Sequence, residues 1–187
     1  VFGNVFGIDL SEEAIKFAKR RKIKVIKASV TKIPYPENSF DLIVSCDVIY
    51  HLGVSDDLVA LREFQRILKP KGIIIIRVPA FEWLRSTRDL QVHSRERYNK
   101  SKIKNRLEKV GFQVVKITYV NMLLLPIAFV SVLWEKIVKN SKPTTPLVNL
   151  PRIINNLLAW ILSLEAKYLL KRNIPFGLGV FAVAKKR

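Results

Sequence analysis

The spacing of apolar and polar residues along the first half of the chain predicts alternating strands and helices. Short apolar runs are separated by segments in which apolar residues recur every three or four positions. The predicted strands are Val5–Asp9, Lys24–Ala28, Phe40–Cys46 and Ile73–Val78, and the predicted helices are Glu12–Arg21 and a helix that Ser55 caps and that runs to Leu68. The third strand is apolar enough to be buried on both faces. Because such strands usually run parallel, this half predicts a Rossmann-like, doubly wound α/β sheet.

The second half of the chain is organised differently. Asn99 is predicted to cap a short basic helix that ends at Gly111, and Phe112–Tyr119 is predicted to be the next strand. The last strand, Gly179–Ala184, is expected to pair antiparallel with it. We interpret residues 1–187 as one domain that carries a helical insertion over residues 121–175 on its substrate side.

The insertion contains two apolar segments. Ile117–Trp134 has no charged residue, but its first part continues a strand, and Asn121 and Pro126 interrupt the rest, which argues against a membrane span. Pro151–Arg172 predicts an amphipathic helix. Its apolar side is predicted to comprise Ile154, Leu157, Leu158, Ile161, Leu162 and Leu169. This helix is either a lid packed on the domain or a surface that dips into a bilayer with help from neighbouring lysines and arginines.

Charge separates the two halves more sharply than hydrophobicity does. Residues 1–70 carry 11 Lys+Arg against 9 Asp+Glu, whereas residues 71–187 carry 22 against 6, a net charge of +16. Such a basic half favours phosphate-bearing substrates, nucleic acid or an anionic membrane surface as partners. The single cysteine, Cys46, excludes a framework of internal disulfides and fits a reducing compartment.

Asp9 is the candidate binding residue with the most telling position. It ends the first predicted strand, at the edge where open α/β sheets bind their ligands. A carboxylate there can accept hydrogen bonds from both hydroxyls of a ribose. It can equally cap the helix that begins after Ser11, and this segment alone leaves both interpretations open.

Several motifs together resemble the class I S-adenosylmethionine-dependent methyltransferases, in particular the group called type 11. The similar segments are 7–11 (GIDLS), 28–35 (ASVTKIPY), 38–44 (NSFDLIV) with 49–52 (IYHL), and 66–72 (RILKPKG). Each motif is weak by itself, but their order and spacing are specific. The resemblance covers about residues 5–184.

The resemblance implies S-adenosylmethionine as the cofactor and assigns contacts with it to residues that follow the strands. These residues are Asp9, Leu10, Ser29, Val30 and Cys46. Asp9 corresponds to the ribose-binding acid. Ser29 stands where the family usually has an aspartate that contacts the adenine amino group. Cys46 is expected to be a small buried residue whose backbone carbonyl faces the cofactor.

The sequence departs from the family pattern before Asp9. Family members have a first strand and a glycine-rich GxGxG turn there, and neither precedes Asp9 in this sequence. We therefore expect the domain to be N-terminally incomplete, without the central strand that would lie between those at Val5 and Phe40.

Residues after the fourth family strand are candidates for contact with the methyl acceptor. Tyr50 and His51 occupy the place where family members have substrate-facing residues, although a lone histidine there is more often a packing residue. Asp47 either meets the methionine ammonium or forms a local turn. No catalytic residue is assigned, and no cluster of Cys and His has the spacing of a metal site.

The sequence thus predicts an enzyme that transfers a methyl group to a small or lipid-linked acceptor, located in the cytoplasm and in peripheral contact with an anionic membrane. RNA methylation is an alternative, because 85–109 carries nine Lys+Arg against three acids. That segment lacks exposed aromatics alternating with the basic residues, so nucleic acid is the less favoured partner. A non-catalytic binding protein that retains the fold is the third interpretation.

Overall fold

The computed structural model describes residues 3–138 and 151–187 of the chain. Its strands are β1 (Phe6–Asp9), β2 (Lys24–Lys27), β3 (Phe40–Cys46), β4 (Leu68–Pro79), β5 (Phe112–Val120) and β6 (Gly179–Lys186). Its helices are α1 (Glu12–Arg20), α2 (Asp57–Ile67), α3 (Thr87–Gln91), α4 (Lys100–Lys109), α5 (Leu125–Ile137) and α6 (Arg152–Lys171), with a 3₁₀ turn at Glu82–Leu84. The predicted order of elements is confirmed. The largest difference in bounds is at β4, which begins at Leu68 rather than Ile73.

Side-chain caps define where the helices begin. The hydroxyl of Ser11 accepts the Ala14 N–H at 3.2 Å, and the Asn99 side chain accepts the Lys102 N–H at 2.8 Å. At α2 the predicted cap is wrong, because Asp56 rather than Ser55 accepts the Leu58 N–H, at 2.8 Å. Asp56 directly precedes the first helical residue, so its side chain reaches the first turn, whereas Ser55 lies one residue too early.

The strands form two separate sheets. β1 and β2 pair in parallel, and the other four strands have the order β3-β4-β6-β5. β3 runs parallel to β4, whereas β6 runs antiparallel to both of its neighbours, β4 and β5. The predicted α/β fold with an antiparallel last strand is therefore confirmed. The chain inserts that last strand between β4 and β5, a position that the sequence pattern did not predict.

One face of the four-stranded sheet carries the core. The buried side chains of β4 on that face pack with those of α2 and α4 in a single cluster. Its fully buried members include Leu61, Ile74, Ile76, Val78, Ile103 and Leu107. The opposite face, with Leu42, Val44 and Ile73, is open in the part of the chain that the structure describes.

The expectation that β3 is buried on both faces is therefore wrong. Leu42 and Val44 are 50% and 59% exposed, although both are apolar and central to the strand. Helices α2 and α4 pack on the other face, and β3 pairs with β4 along one edge while a cavity lies beside its other edge.

Candidate functional site

A cavity of about 650 Å³ lies between the two sheets. It is lined from one side by the carboxyl end of β1 and the residues that follow it, and from the other side by β3 and the residues after Cys46. The carboxyl ends of parallel strands are where open α/β folds bind ligands. The volume is within the range of sites that bind small molecules and cofactors, about 300–1,000 Å³.

Three aromatic rings close the opposite end of this cavity. Phe6, at the start of β1, packs edge-on against Tyr35 and Phe40, with ring centroids 6.0 Å apart in each pair. Tyr35 and Phe40 are themselves 5.0 Å apart. Because Phe40 begins β3, these contacts join the amino ends of the two sheets and leave their carboxyl ends apart.

Four of the five predicted cofactor-binding residues line the cavity. Asp9 and Leu10 lie on the β1 side, Cys46 lies on the β3 side, and Val30 comes from the loop after β2. Ser29 is not among the lining residues, and its hydroxyl lies 2.8 Å from the Thr31 hydroxyl and accepts the Thr31 N–H at 3.2 Å. The structure therefore brings four of the residues together and directs the fifth side chain into its own loop.

The two oxygens of the Asp9 carboxylate have different environments. Its Oδ1 accepts the Ser11 N–H at 2.8 Å, which supports the turn into α1. Ser11, rather than Asp9, is the residue that caps the helix. Among the described residues no hydrogen bond engages Oδ2, so this exposed oxygen can accept from a ligand in the cavity.

A clamp on α2 holds the loop between β2 and β3. The Glu63 carboxylate accepts the Ile33 N–H at 2.7 Å, and the Arg66 guanidinium donates to the carbonyls of Ile33 and Tyr35 at 2.9 and 2.8 Å. Arg66 also binds Glu63 directly, and this hydrogen bond is the main reason why the pKa of Glu63 is lowered. The clamp therefore holds this loop, which includes Val30, beside the cavity.

Neither Glu63 nor Arg66 was singled out as a positioning residue from the sequence. Arg66 belongs to the 66–72 motif, but a linear motif does not show that its side chain reaches a loop more than thirty residues earlier. The contact depends on how α2 lies against the sheet, which only the fold decides.

Asp47 forms an ion pair with Arg77 of β4 beside the cavity. Its backbone is in the left-handed region with a φ of 57°, and its N–H donates to the Arg77 carbonyl at 2.9 Å. Desolvation raises the pKa of Asp47, and electrostatic interactions with Arg77 and His51 oppose that rise. Arg77 was not predicted as a site residue from the sequence. Its position as a lone charge within the apolar strand Ile73–Val78 could have indicated it.

His51 lies in the same cavity, and its hydrogen bond defines the tautomer of the neutral ring. Its Nε2 is 2.9 Å from the Asp47 carbonyl oxygen. Because a carbonyl only accepts, Nε2 carries the hydrogen, and in the neutral ring Nδ1 is then the nitrogen that accepts. The ring stacks on Tyr50 with centroids 4.6 Å apart, and this contact fixes its orientation. Tyr50 itself is buried and does not line the cavity.

Cys46 differs from its expected environment. It was predicted to be buried, but it is exposed because the carboxyl end of β3 borders the cavity instead of another strand. Local desolvation raises the pKa of its thiol, and the Asp47 carboxylate raises it further, against a smaller opposite effect of Arg77. The thiol is therefore protonated at neutral pH and is a poor nucleophile.

Aromatic side chains form a second surface at the same edge of the large sheet. Phe81, just after β4, stacks on Tyr119 near the end of β5 at 4.7 Å and on Trp83 at 5.5 Å. Trp83 meets Phe129 of α5 edge-on, and the Lys100 ammonium lies 5.1 Å from the centre of the Tyr119 ring. We call Phe81, Trp83, Tyr119 and Phe129 the aromatic wall. It provides an apolar contact surface flanked by a positive charge.

A cavity of about 720 Å³ adjoins the aromatic wall, with Phe81, Trp83, Arg97 and Lys102 among its lining residues. Phe81 has a φ of 55°, an uncommon conformation for a residue other than glycine. Within residues 3–138 and 151–187, no group of three or more His, Cys, Asp or Glu side chains is arranged to hold a metal ion.

Comparison with known proteins connects this geometry to a family. Residues 1–76 match a family model described as a methyltransferase domain. A demethylmenaquinone methyltransferase of Staphylococcus aureus is 34% identical over 79 residues, which cover 39% of this chain and 32% of that protein. The chain thus spans about a third of the length of the curated relative that it matches.

Solved structures show that the fold is shared along nearly the whole chain. An S-adenosylmethionine-dependent methyltransferase of Thermotoga maritima superposes with a TM-score of 0.64 and 18% identity, over 98% of this chain and 73% of the other. A phosphoethanolamine N-methyltransferase of Haemonchus contortus, in complex with S-adenosylmethionine, gives a TM-score of 0.57 and 23% identity, over 98% and 43%. At these identities the likeness shows the fold alone.

Proposed function

We propose that the chain is part of a class I S-adenosylmethionine-dependent methyltransferase, and that the complete protein transfers a methyl group from S-adenosylmethionine to a small or lipid-linked acceptor. The observation that carries the proposal is the cavity between β1 and β3, which has the Asp9 carboxylate at one rim and His51 at the other. S-adenosylmethionine, when bound, supplies a methyl group activated by a positively charged sulfur.

The residues of the cavity suit the binding of this cofactor. Asp9 Oδ2 can accept from ribose hydroxyls, and Leu10 and Val30 offer apolar contacts for a flat base. Ser45 also borders the cavity, with its hydroxyl buried.

His51 is the candidate proton acceptor. Its Nε2 is occupied by the Asp47 carbonyl, so Nδ1 is the nitrogen that can accept a proton from a hydroxyl or an amine of the acceptor. The stacking contact with Tyr50 restricts the ring and thereby positions that nitrogen. The remaining contribution of the protein is to hold the acceptor and the methyl group in line, which removes an entropic part of the barrier.

Two observations support a small or lipid-linked acceptor. The aromatic wall at the carboxyl edge offers apolar contact next to Lys100, which suits an apolar molecule with an anionic or polar group. The relative from S. aureus is named for a reaction on demethylmenaquinone, an acceptor of this general kind.

The basic segment 85–109 gives less support to RNA than its composition suggests. Six of its basic side chains form ion pairs within the domain: Arg85, Arg95, Arg97, Lys102, Lys104 and Arg106. Their partners are carboxylates of the domain itself, so these charges are largely neutralised before any phosphate approaches.

Cofactor affinity tests the site. We expect Asp9→Ala to weaken S-adenosylmethionine binding by about 1.5–3 kcal/mol, roughly ten- to hundred-fold in Kd, because it removes a charge-assisted hydrogen bond. Calorimetry on the full-length protein measures this, with Asp41→Ala as the matched control. Asp41 is an exposed aspartate on β3 that pairs with Lys69 and does not line the cavity. Equal affinities of the two variants would disprove the assignment of Asp9.

A methyl-transfer assay distinguishes a small-molecule or lipid methyltransferase, an RNA methyltransferase and a non-catalytic binding protein. Full-length protein is incubated with methyl-labelled cofactor and, in separate reactions, quinol-type lipids, small amines and transcribed RNA. Label in an organic-soluble or small-molecule product supports the proposal, and label in RNA alone overturns the acceptor class. Tight cofactor binding without transfer to any acceptor would favour the non-catalytic protein. His51→Gln is expected to lower kcat and to leave the cofactor Kd nearly unchanged.

A further inference from the structure

Helix α6 is fixed to the domain along one side only. That side comprises Leu158, Ile161, Leu162, Glu165 and Leu169, which are half-buried or buried. The Glu165 carboxylate accepts the N–H groups of Asn121 and Leu123, just after β5. The Lys116 ammonium of β5 donates to the Leu169 carbonyl. These contacts explain why the helix docks and decide which face it turns inward.

A second apolar stripe runs along α6 and faces water. It comprises Ile153, Leu157, Trp160, Leu164 and Tyr168, spaced four, three, four and four residues apart, and we call it the outer stripe. Residues at this spacing lie above one another on one face of a helix. Their exposed fractions are 83%, 52%, 58%, 41% and 54%. A helix that needs one apolar face to pack on its own domain therefore carries two.

The charges around the outer stripe have one sign. The exposed charged side chains of α6 are Arg152, Lys167 and Lys171, and Arg172 follows directly. The one acidic residue of the helix, Glu165, is buried and bound to backbone N–H groups. An apolar stripe rimmed by cations is complementary to a surface that is apolar inside and anionic outside.

We propose that the outer stripe of α6 docks the protein on an anionic lipid surface. Leu157, Trp160 and Leu164 would enter the boundary between headgroups and acyl chains, and Lys167, Lys171 and Arg172 would lie at the level of the phosphates. Helix α5 offers similar side chains, because Ile127, Val130, Trp134 and Ile137 are 64–75% exposed. Docking would hold the enzyme where lipid-linked acceptors are concentrated, but the inference does not depend on the proposed methyl transfer.

The geometry favours lying on the membrane over crossing it. By length and composition α6 alone among the described helices qualifies as a candidate span, and 6% of its apolar window is buried. A span would carry Glu165 and Lys167 into the hydrocarbon, where charged side chains are costly. It would also break the bonds from Glu165 to Asn121 and Leu123. An interfacial helix keeps those bonds and buries the outer stripe.

Vesicle flotation without cofactor or acceptor tests the inference separately from catalysis. Full-length protein is mixed with vesicles of phosphatidylcholine alone or with phosphatidylglycerol added. We expect the protein to float with the anionic vesicles and the bound fraction to decrease as salt rises. High salt without detergent should release it. We expect Leu157→Glu with Trp160→Glu to reduce binding at least ten-fold. Phe17→Glu, on the exposed side of α1 at 63% exposure, is the matched control and should bind like the wild type.

The results that overturn the inference are equally defined. They are failure of the wild type to float with anionic vesicles, equal loss in the Phe17→Glu control, or extraction only by detergent, which would indicate a span. Light scattering is run in parallel to measure the oligomeric state. If the wild type does not bind vesicles but forms a dimer that the double variant dissociates, the stripe is an interface with a second copy. If the double glutamate variant does not fold, Leu157→Ala with Trp160→Ala is used with the same expected direction.

Discussion

Helices α4 and α6 show opposite relations between composition and burial. α4 is strongly basic, yet its two large apolar residues, Ile103 and Leu107, are fully buried against the sheet. α6 is far more apolar, yet most of its large side chains are exposed. The difference teaches that the hydrophobicity of a helix predicts how much it could bury, whereas the number of surfaces around it determines how much it does bury.

The physical basis of the difference is the set of partners around each helix. α4 lies beside α2 over the sheet, and Arg106 of α4 forms an ion pair with Asp57 of α2. The hydroxyl of Tyr98, just before α4, donates to the same carboxylate at 2.8 Å. α6 has β5 and the turn after it as its contacts, so one side is covered and the outer stripe is not.

A matched pair of leucines provides the largest test of this comparison. We expect Leu107→Ala in α4 to lower the free energy of unfolding by about 2–5 kcal/mol, because it leaves a cavity in the core. We expect Leu157→Ala in α6, which is 52% exposed, to change it by less than about 0.5 kcal/mol. Denaturant unfolding of the full-length protein measures both. Similar losses would mean that α6 is covered in solution.

Glu165 tests whether α6 is held by a few polar contacts rather than by a large apolar interface. Glu165→Ala would leave two backbone N–H groups without their acceptor, at a cost of about 1.5–3 kcal/mol. Glu165→Gln should cost less because it retains an amide oxygen. Hydrogen exchange at Asn121 and Leu123 should accelerate in the alanine variant, while exchange in α4 stays slow. Unchanged exchange after β5 would argue against this anchor.

The smallest expected effect is on the pH dependence of stability, and it involves the ion pair of Asp89 and Arg97. Desolvation tends to raise the pKa of Asp89, but hydrogen bonds from Arg97 and from the Ser86 N–H outweigh it, so the pKa is lowered below its ordinary 3.8. Because the folded value is the lower one, the stabilisation is fully present above pH 3.8 and is lost as pH falls through the folded pKa.

Acid titrations of variants measure that dependence. Asp89→Asn should flatten the loss of stability at acid pH, while Asp41→Asn, whose side chain is 84% exposed and pairs with Lys69, should leave the profile unchanged. An equal flattening in both variants would contradict a special role for the buried pair of Asp89 and Arg97.

Gly177 shows how closely the segment after α6 packs against β5. A Cβ on Gly177 would lie 2.2 Å from the Val120 carbonyl oxygen, a distance that no side chain tolerates. The segment is also tied to β5, because the Ile174 N–H donates to the Thr118 hydroxyl at 2.8 Å. This close approach brings the chain from α6 back into the sheet as β6.

The sequence by itself determined the local elements and the resemblance to a family. Apolar runs ending in Asp9 and Cys46, the cap at Asn99 and the stop at Gly111 depend on residues near one another in the chain, and their propensities and hydrogen bonds act locally. The ordered motifs likewise placed Asp9, Leu10, Val30 and Cys46 on what proved to be one cavity.

The tertiary structure alone decided which surfaces meet. It placed β6 between β4 and β5, directed Arg66 onto a distant loop, exposed β3 and Cys46 beside the cavity, and turned the outer stripe of α6 to water. Each of these depends on contacts between residues far apart in sequence. Apolar periodicity marks a side chain as able to pack, but only the positions of the neighbouring elements determine whether a packing partner is there.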